Sequence, residues 1–254
     1  MKKFVPVVLI IACLVGVLYY IQTEHHRLSD YFMVESRTPK DFPSIRFEDD
    51  FLTKEECSEL SSYIQNHELL AESRLGEQFK GTYGFKLTFR EASIKYDIEN
   101  IKKLYNLDFG PIHNVYKKIK HPEANAFLFN PLVINTKCTE AEDDVTADAH
   151  YDVTLDIRSF GRWVTPLCTT VVYVEVPDVF KLGRLGMLKF GVVDMFQILF
   201  AKPKTGRKVT FRGDMYHYVE SMYTKTPKKR ISLVFEQYKL SAEEIHKYAE
   251  LEID

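Results

Sequence analysis

The chain is 254 residues long, 45% hydrophobic and 28% charged, a balance that excludes a disordered chain and suffices to bury a sizeable core. A formal net charge of −2 gives no electrostatic ground for nucleic acid as a partner. The 18 Phe and 15 Tyr residues, against one Trp, suit a β-rich interior.

Residues 4–22, FVPVVLIIACLVGVLYYIQ, carry no charge over nineteen positions, enough to cross the hydrocarbon layer as one helix. Lys2 and Lys3 precede this run; Glu24, His25, His26 and Arg27 follow it. The basic leading flank predicts a single-pass membrane anchor with a cytoplasmic N-terminus and the rest of the chain translocated. The destination is the ER or Golgi lumen in a eukaryote and the periplasm in a bacterium. A cleaved signal peptide is the alternative, but its apolar run is usually shorter and ends in a small-x-small site, where this chain has bulky residues. Residues 23–45 read as a polar stalk with Pro39 and Pro43 near its end.

The globular part is expected to begin at residue 46. In FLTKEECSELSSYIQN, Thr53 and Glu56 make a capping box, Leu52 is placed to staple onto Cys57, and Cys57, Leu60 and Ile64 follow at helical spacing. An amphipathic helix over 54–65 follows. Residues 73–97 alternate weakly and hold one or two strands, and 98–120 reads as two short helices divided at Gly110-Pro111. From 125 the chain turns to short β-branched and aromatic runs: NAFLFNPLVIN, HYDVTL, CTTVVYVEV, KVTFRGD and RISLVFEQYKL. These predict a mostly β sandwich or barrel with flanking helices. The apolar part of 178–208 reads as core or sheet edge, with a lid or a membrane-touching hairpin as alternatives. Ser241 and Glu244 form a second capping box, which predicts a terminal helix over 241–254.

Cys13 lies in the apolar run, leaving Cys57, Cys138 and Cys168, which would permit one disulfide of undetermined pairing and an odd thiol. With no C-x-x-C spacing, a structural zinc site is not expected.

The residues that suggest chemistry lie late in the chain. On a strand, His150 and Asp152 would share a face. His217 stands 65 residues beyond Asp152, after a predicted strand and turn, and Arg230 and Ser232 alternate on the last long strand. His25, His26, His67, His113, His121 and His246 have no comparable setting. The acidic run 139–148 reads as a solvated loop, with a loop at the mouth of a site that favours a basic substrate as the alternative.

The order His-x-Asp, distant His, then Arg-x-Ser resembles the iron(II)/2-oxoglutarate dioxygenases, in particular their prolyl 4-hydroxylase-like branch. FLTKEECSEL resembles the segment that opens those domains, and KTGRKVTFRGDMYHYVESM resembles their strand-turn-strand around the distal His. The resemblance covers roughly 46–240 and implies a double-stranded β-helix, or jelly-roll, with its core over about 125–240. It implies Fe(II) on His150, Asp152 and His217, 2-oxoglutarate held by Arg230 with help from Ser232, dioxygen as co-substrate, and ascorbate as reductant. The implied substrate is a protein or peptide side chain, prolyl or lysyl, and the implied activity is hydroxylation with oxidative decarboxylation of 2-oxoglutarate to succinate.

The chain departs from the collagen-type pattern in having Arg230 where those enzymes usually carry Lys, in the stretch YTKTPK between His217 and Arg230, and in a glycine pair present only as Gly183 and Gly186. Two other functions compete. A nucleic-acid oxidative demethylase would typically carry a second Arg six residues after the first, where this chain has Glu236. A catalytically silent jelly-roll scaffold would be expected to have lost a ligand.

Overall fold

The computed structural model describes residues 34–70, 82–91, 99–100, 102–103, 108–139, 145–159, 161–189, 197–248 and 251–253. In chain order the strands are β1 (Val34–Glu35), β2 (Ile45–Glu48), β3 (Thr82–Gly84), β4 (Leu87–Arg90), β5 (Ala126–Asn135), β6 (Val145–His150), β7 (Arg158–Ser159), β8 (Arg162–Val164) and β9 (Cys168–Glu175). They continue as β10 (Lys181–Leu182), β11 (Leu185–Lys189), β12 (Gln197–Ala201), β13 (Lys208–Arg212), β14 (Tyr216–Glu220), β15 (Met222–Tyr223), β16 (Lys229–Tyr238) and β17 (Leu251–Ile253). The helices are α1 (Lys54–Gln65), α2 (Gly110–Ile119) and α3 (Ala242–Ile245).

Two antiparallel sheets form the core. The large sheet runs β17-β4-β5-β16-β9-β13-β2, with β3 also paired to β5; the small sheet runs β12-β11-β14-β6. Successive core strands change sheets: β5 large, β6 small, β9 large, the β11–β12 hairpin small, β13 large, β14 small, β16 large. That alternation is jelly-roll winding, and it follows from the pairings of this chain alone.

The alternation within β16 explains why its sequence is apolar almost throughout yet holds charged groups. Ile231, Leu233 and Phe235 point to a helix layer and pack with Cys57, Leu60 and Ile64 of α1 and Ile112, Val115 and Tyr116 of α2. Arg230, Ser232, Val234 and Glu236 point the other way, into a cavity between the sheets. Phe127 and Phe129 of β5 repeat the helix-facing pattern, and Phe129 meets Phe235 edge-on at 4.4 Å. Pro131 falls where β4 pairing ends and β3 pairing begins, so its missing N–H interrupts no ladder on that side. Val171 and Tyr173 of β9, Leu185 and Met187 of β11, and Val209 and Phe211 of β13 join the two sheets.

Several expectations need correction. Residues 34–45 are not a free stalk: β1 pairs in parallel with β8, and buried Thr38 Oγ1 donates to Leu167 O and accepts from Gly213 N–H. The terminal helix stops at Ile245, and β17 instead pairs antiparallel with β4 at the edge of the large sheet. As expected for 98–120, residues 99–100 and 102–103 are helical and a further helix begins at Gly110 with Pro111 in its first turn, where a missing N–H costs least; the other residues of 98–107 lie outside the described residues. The strand expected at HYDVTL ends at His150 and begins at Val145, inside the run expected as a loop. Cys57, Cys138 and Cys168 are all free thiols. The apolar part of 178–208 supplies the β11–β12 hairpin, with β12 at the sheet edge. Among the described residues no helix is long and apolar enough to cross a membrane, and residues 4–22 lie outside them.

Candidate metal centre

His150, the last residue of β6, is the cross-strand partner of His217 on β14. Their ring centroids are 4.4 Å apart. Asp152 lies two residues past the end of β6, and its Oδ1 is 3.5 Å from His217 Nε2 and 3.8 Å from His150 Nε2. One ligand atom from each of the three residues lies within 4.8 Å of the others. The sequence expectation placed His150 and Asp152 on one strand face; they converge although Asp152 is off the strand.

Each imidazole is oriented by its other nitrogen. His217 Nδ1 lies 3.0 Å from Met215 O and His150 Nδ1 lies 2.6 Å from Asp148 O. A carbonyl can only accept, so both Nδ1 atoms carry a hydrogen, and both Nε2 atoms are turned toward Asp152. Burial holds the His217 pKa below the usual imidazole value against the opposing charge of Asp152, which keeps the ring neutral. Phe211 packs against the same ring at 5.0 Å. Asp152 Oδ2 accepts a 2.6 Å hydrogen bond from Thr169 Oγ1, leaving Oδ1 for the imidazole side.

The donor set fits a divalent iron ion: two neutral imidazoles and one carboxylate make a facial triad with further positions open. A second observation extends the site. Arg230 is only 3% exposed, and its Nη1 donates to Gly183 O at 3.0 Å, yet its buried Nε has no hydrogen-bond partner. Ser232 Oγ, also buried, has none either. Burial lowers the Arg230 pKa, though a guanidinium remains charged. A buried cation beside a donor without a partner is the arrangement an absent anion would complete. Lys189 is exposed, and Arg212 is engaged by Asp214 at 2.7 Å, so neither is an alternative to Arg230.

These groups line one cavity of about 480 Å³, walled by Leu132, Val171, Leu185, Val219 and Val234. All five site residues expected from sequence therefore meet. The remaining described histidines do not: His67, for instance, stacks on Phe85 at 4.8 Å in the core. Gly183 takes φ +75° and presents its carbonyl to Arg230. Gly186 lies under Tyr218, whose ring a Cβ would meet at 2.4 Å. Sequence reasoning missed Thr169 and gave Glu236 no place in the site. The available signal was the even-numbered face of β16, which extends from Arg230 through Ser232 to Glu236.

No protein-family model matches the chain, and no curated protein does. A Pseudomonas putida prolyl-4-hydroxylase is 14% identical at TM-score 0.48, over 79% of this chain and 95% of that one. The viral collagen prolyl hydroxylase of Paramecium bursaria Chlorella virus-1, solved as a 2OG complex, is 18% identical at TM-score 0.43, over 78% and 98%. HygX from Streptomyces hygroscopicus, with nickel and 2-oxoglutarate bound, is 8% identical at TM-score 0.40, over 77% and 84%. Likenesses this distant assign neither fold nor chemistry, which rest on the pairings and side chains described above.

Proposed function

We propose that this chain is an Fe(II)- and 2-oxoglutarate-dependent oxygenase that hydroxylates a protein side chain, prolyl or lysyl. The observation that carries the reading is the convergence of His150, Asp152 and His217 in a cavity that also holds the incompletely partnered Arg230 and Ser232. The choice of a prolyl or lysyl substrate comes from the sequence resemblance, as does ascorbate as reductant. The same reading puts the domain beyond a membrane crossed by residues 4–22, in the ER or Golgi lumen or the periplasm.

His150 Nε2, His217 Nε2 and Asp152 Oδ1 would hold the metal. Bound iron supplies the means to couple dioxygen reduction and keto-acid decarboxylation, to succinate and carbon dioxide, with insertion of one oxygen atom into a C–H bond. The chain's own work is orientation. Arg230 presents a planar fork of donors to the distal carboxylate of the keto acid, and Ser232 on the same strand face adds a hydroxyl donor. The apolar wall around them excludes water and strengthens both contacts. Glu236, an acid at the position where a demethylase pattern has its second Arg, argues against a nucleic-acid substrate.

The test is anaerobic titration of the full chain in detergent with Fe(II) and then 2-oxoglutarate. A visible metal-to-ligand charge-transfer band is expected. Its absence at saturating concentrations would leave the silent scaffold as the better reading.

A further inference from the structure

Asp152 is the ligand that no strand ladder holds. β6 ends at His150, and the chain leaves the sheet through a turn in which Asp156 N–H donates to Val153 O at 3.1 Å and Asp156 takes φ +44°. What fixes the carboxylate comes from the opposite sheet. Thr169 of β9 and Glu236 of β16 are cross-strand partners on the large sheet. Thr169 Oγ1 donates to Asp152 Oδ2 at 2.6 Å. Thr154, two residues past Asp152, donates through Oγ1 to Glu236 Oε1 at 2.6 Å, and Tyr238 OH donates to the other Glu236 oxygen at 2.5 Å. Thr169 is 0% exposed and Glu236 4%, so water does not compete for these bonds.

We infer that Thr169 and Glu236 are positioning residues for the metal ligand: Thr169 restricts Asp152 to ligation through Oδ1, and Glu236 pins the segment that carries it through Thr154. The inference rests on the metal-binding reading above and concerns the number of open positions. A carboxylate ligating through both oxygens would, with two imidazoles, leave only two sites on an octahedral ion. Ligation through one leaves three. A keto acid held through two oxygens would fill two of these, leaving one for dioxygen. By engaging Oδ2, the Thr169 hydroxyl keeps that third site available. A valine of nearly the same shape lacks the hydrogen that does this.

Cobalt(II), a spectroscopic stand-in for Fe(II), tests the assignment without turnover. The full chain in detergent is titrated with Co(II) while its visible d–d bands are recorded, and the thermal unfolding of each metal-free variant is measured alongside. Thr169→Val is expected to weaken cobalt binding about 10- to 100-fold and to alter the bands, the range typical when a ligand loses its outer partner. Thr169→Ser should return to within a few-fold of wild type. Glu236→Leu should weaken binding as Thr169→Val does, while Glu236→Gln, which keeps an acceptor for Thr154, should not. Because Glu236→Leu leaves the Thr154 and buried Tyr238 hydroxyls without an acceptor, it is expected to unfold at a lower temperature than wild type. Misplacement is separated from misfolding by the Thr169→Val and Thr169→Ser pair, which decides the inference. Wild-type affinity and bands in Thr169→Val would overturn the inference and leave the metal site standing. A wild-type chain that binds no cobalt would overturn both.

Discussion

His150 and His217 face each other directly across the β6–β14 ladder, so the hydrogen-bond register of the small sheet itself brings two imidazoles to one point. Sixty-seven residues separate them in sequence. Only the change of sheet between successive strands returns the chain to the same place.

Replacing His150, Asp152 or His217 with Ala should therefore abolish stoichiometric Fe(II) retention, measured by metal analysis after desalting under anaerobic conditions. Each change leaves two ligands, and water takes the vacated position. His217→Ala should also lower stability, because it opens a gap beside Phe211. Full metal occupancy in Asp152→Ala would remove the triad assignment.

Arg230 offers a test in which binding and stability move in opposite directions. Losing one partner of a buried charge pair costs about 3–5 kcal/mol, so Arg230→Ala should raise the apparent KM for 2-oxoglutarate by at least about 100-fold. Arg230→Lys should recover part of this, since a point charge does not reproduce the fork, and Ser232→Ala should cost about tenfold. Without co-substrate, however, Arg230 is a buried cation with an unmet donor. Arg230→Met should then stabilise the ligand-free chain by about 1–3 kcal/mol, read as a higher Tm. An unchanged KM in Arg230→Ala would mean that the co-substrate anchor lies elsewhere.

The parts of the site legible in sequence were those that local periodicity controls. β5, β9, β13 and β16 announced themselves as alternating β-branched and aromatic runs, and Arg230 with Ser232 could be placed on one face from their spacing alone. Pairings between distant segments left no such trace. β1 lies along β8 and β17 along β4 through backbone hydrogen bonds, which any short extended segment can make. Asp152 shares no strand with His150, so strand alternation is not what brings the two together. Thr169 and Thr154 hold it from outside the motif, and an isolated threonine in sequence says nothing about which carboxylate its hydroxyl will meet.

Glu236 gives the metal-free protein a distinctive pH dependence. Burial, aided by the charge of Asp152, pushes its carboxyl pKa up to about 8 from an ordinary 4.5, against the opposing pull of hydrogen bonds from Thr154 and Tyr238. Below the ordinary value both folded and unfolded chains hold the proton. Between about pH 4.5 and 8 the unfolded chain releases it and the folded chain does not, so stability falls as pH rises across that window and levels off above it. Urea unfolding in a chelator at pH 5, 6, 7 and 8 should reveal the fall, and Glu236→Gln should flatten it. Parallel profiles for the two proteins would count against a neutral, buried Glu236.

The last prediction concerns the membrane. Because residues 34–45 belong to the domain, only residues 23–33 separate it from the apolar run 4–22, and eleven residues reach at most ~40 Å whatever their conformation. A single-pass anchor would then keep the domain close to the bilayer surface. The full chain should resist carbonate extraction from membranes, and a chain beginning near Thr23 should be released, since nineteen apolar residues favour lipid strongly. With Lys2 and Lys3 on the cytoplasmic side, protease added to sealed vesicles should leave the domain intact until detergent is added. Digestion without detergent would reverse the orientation and redirect the search for a substrate from secretory or envelope proteins to cytosolic ones. Extraction of the full chain by carbonate would remove the anchor altogether.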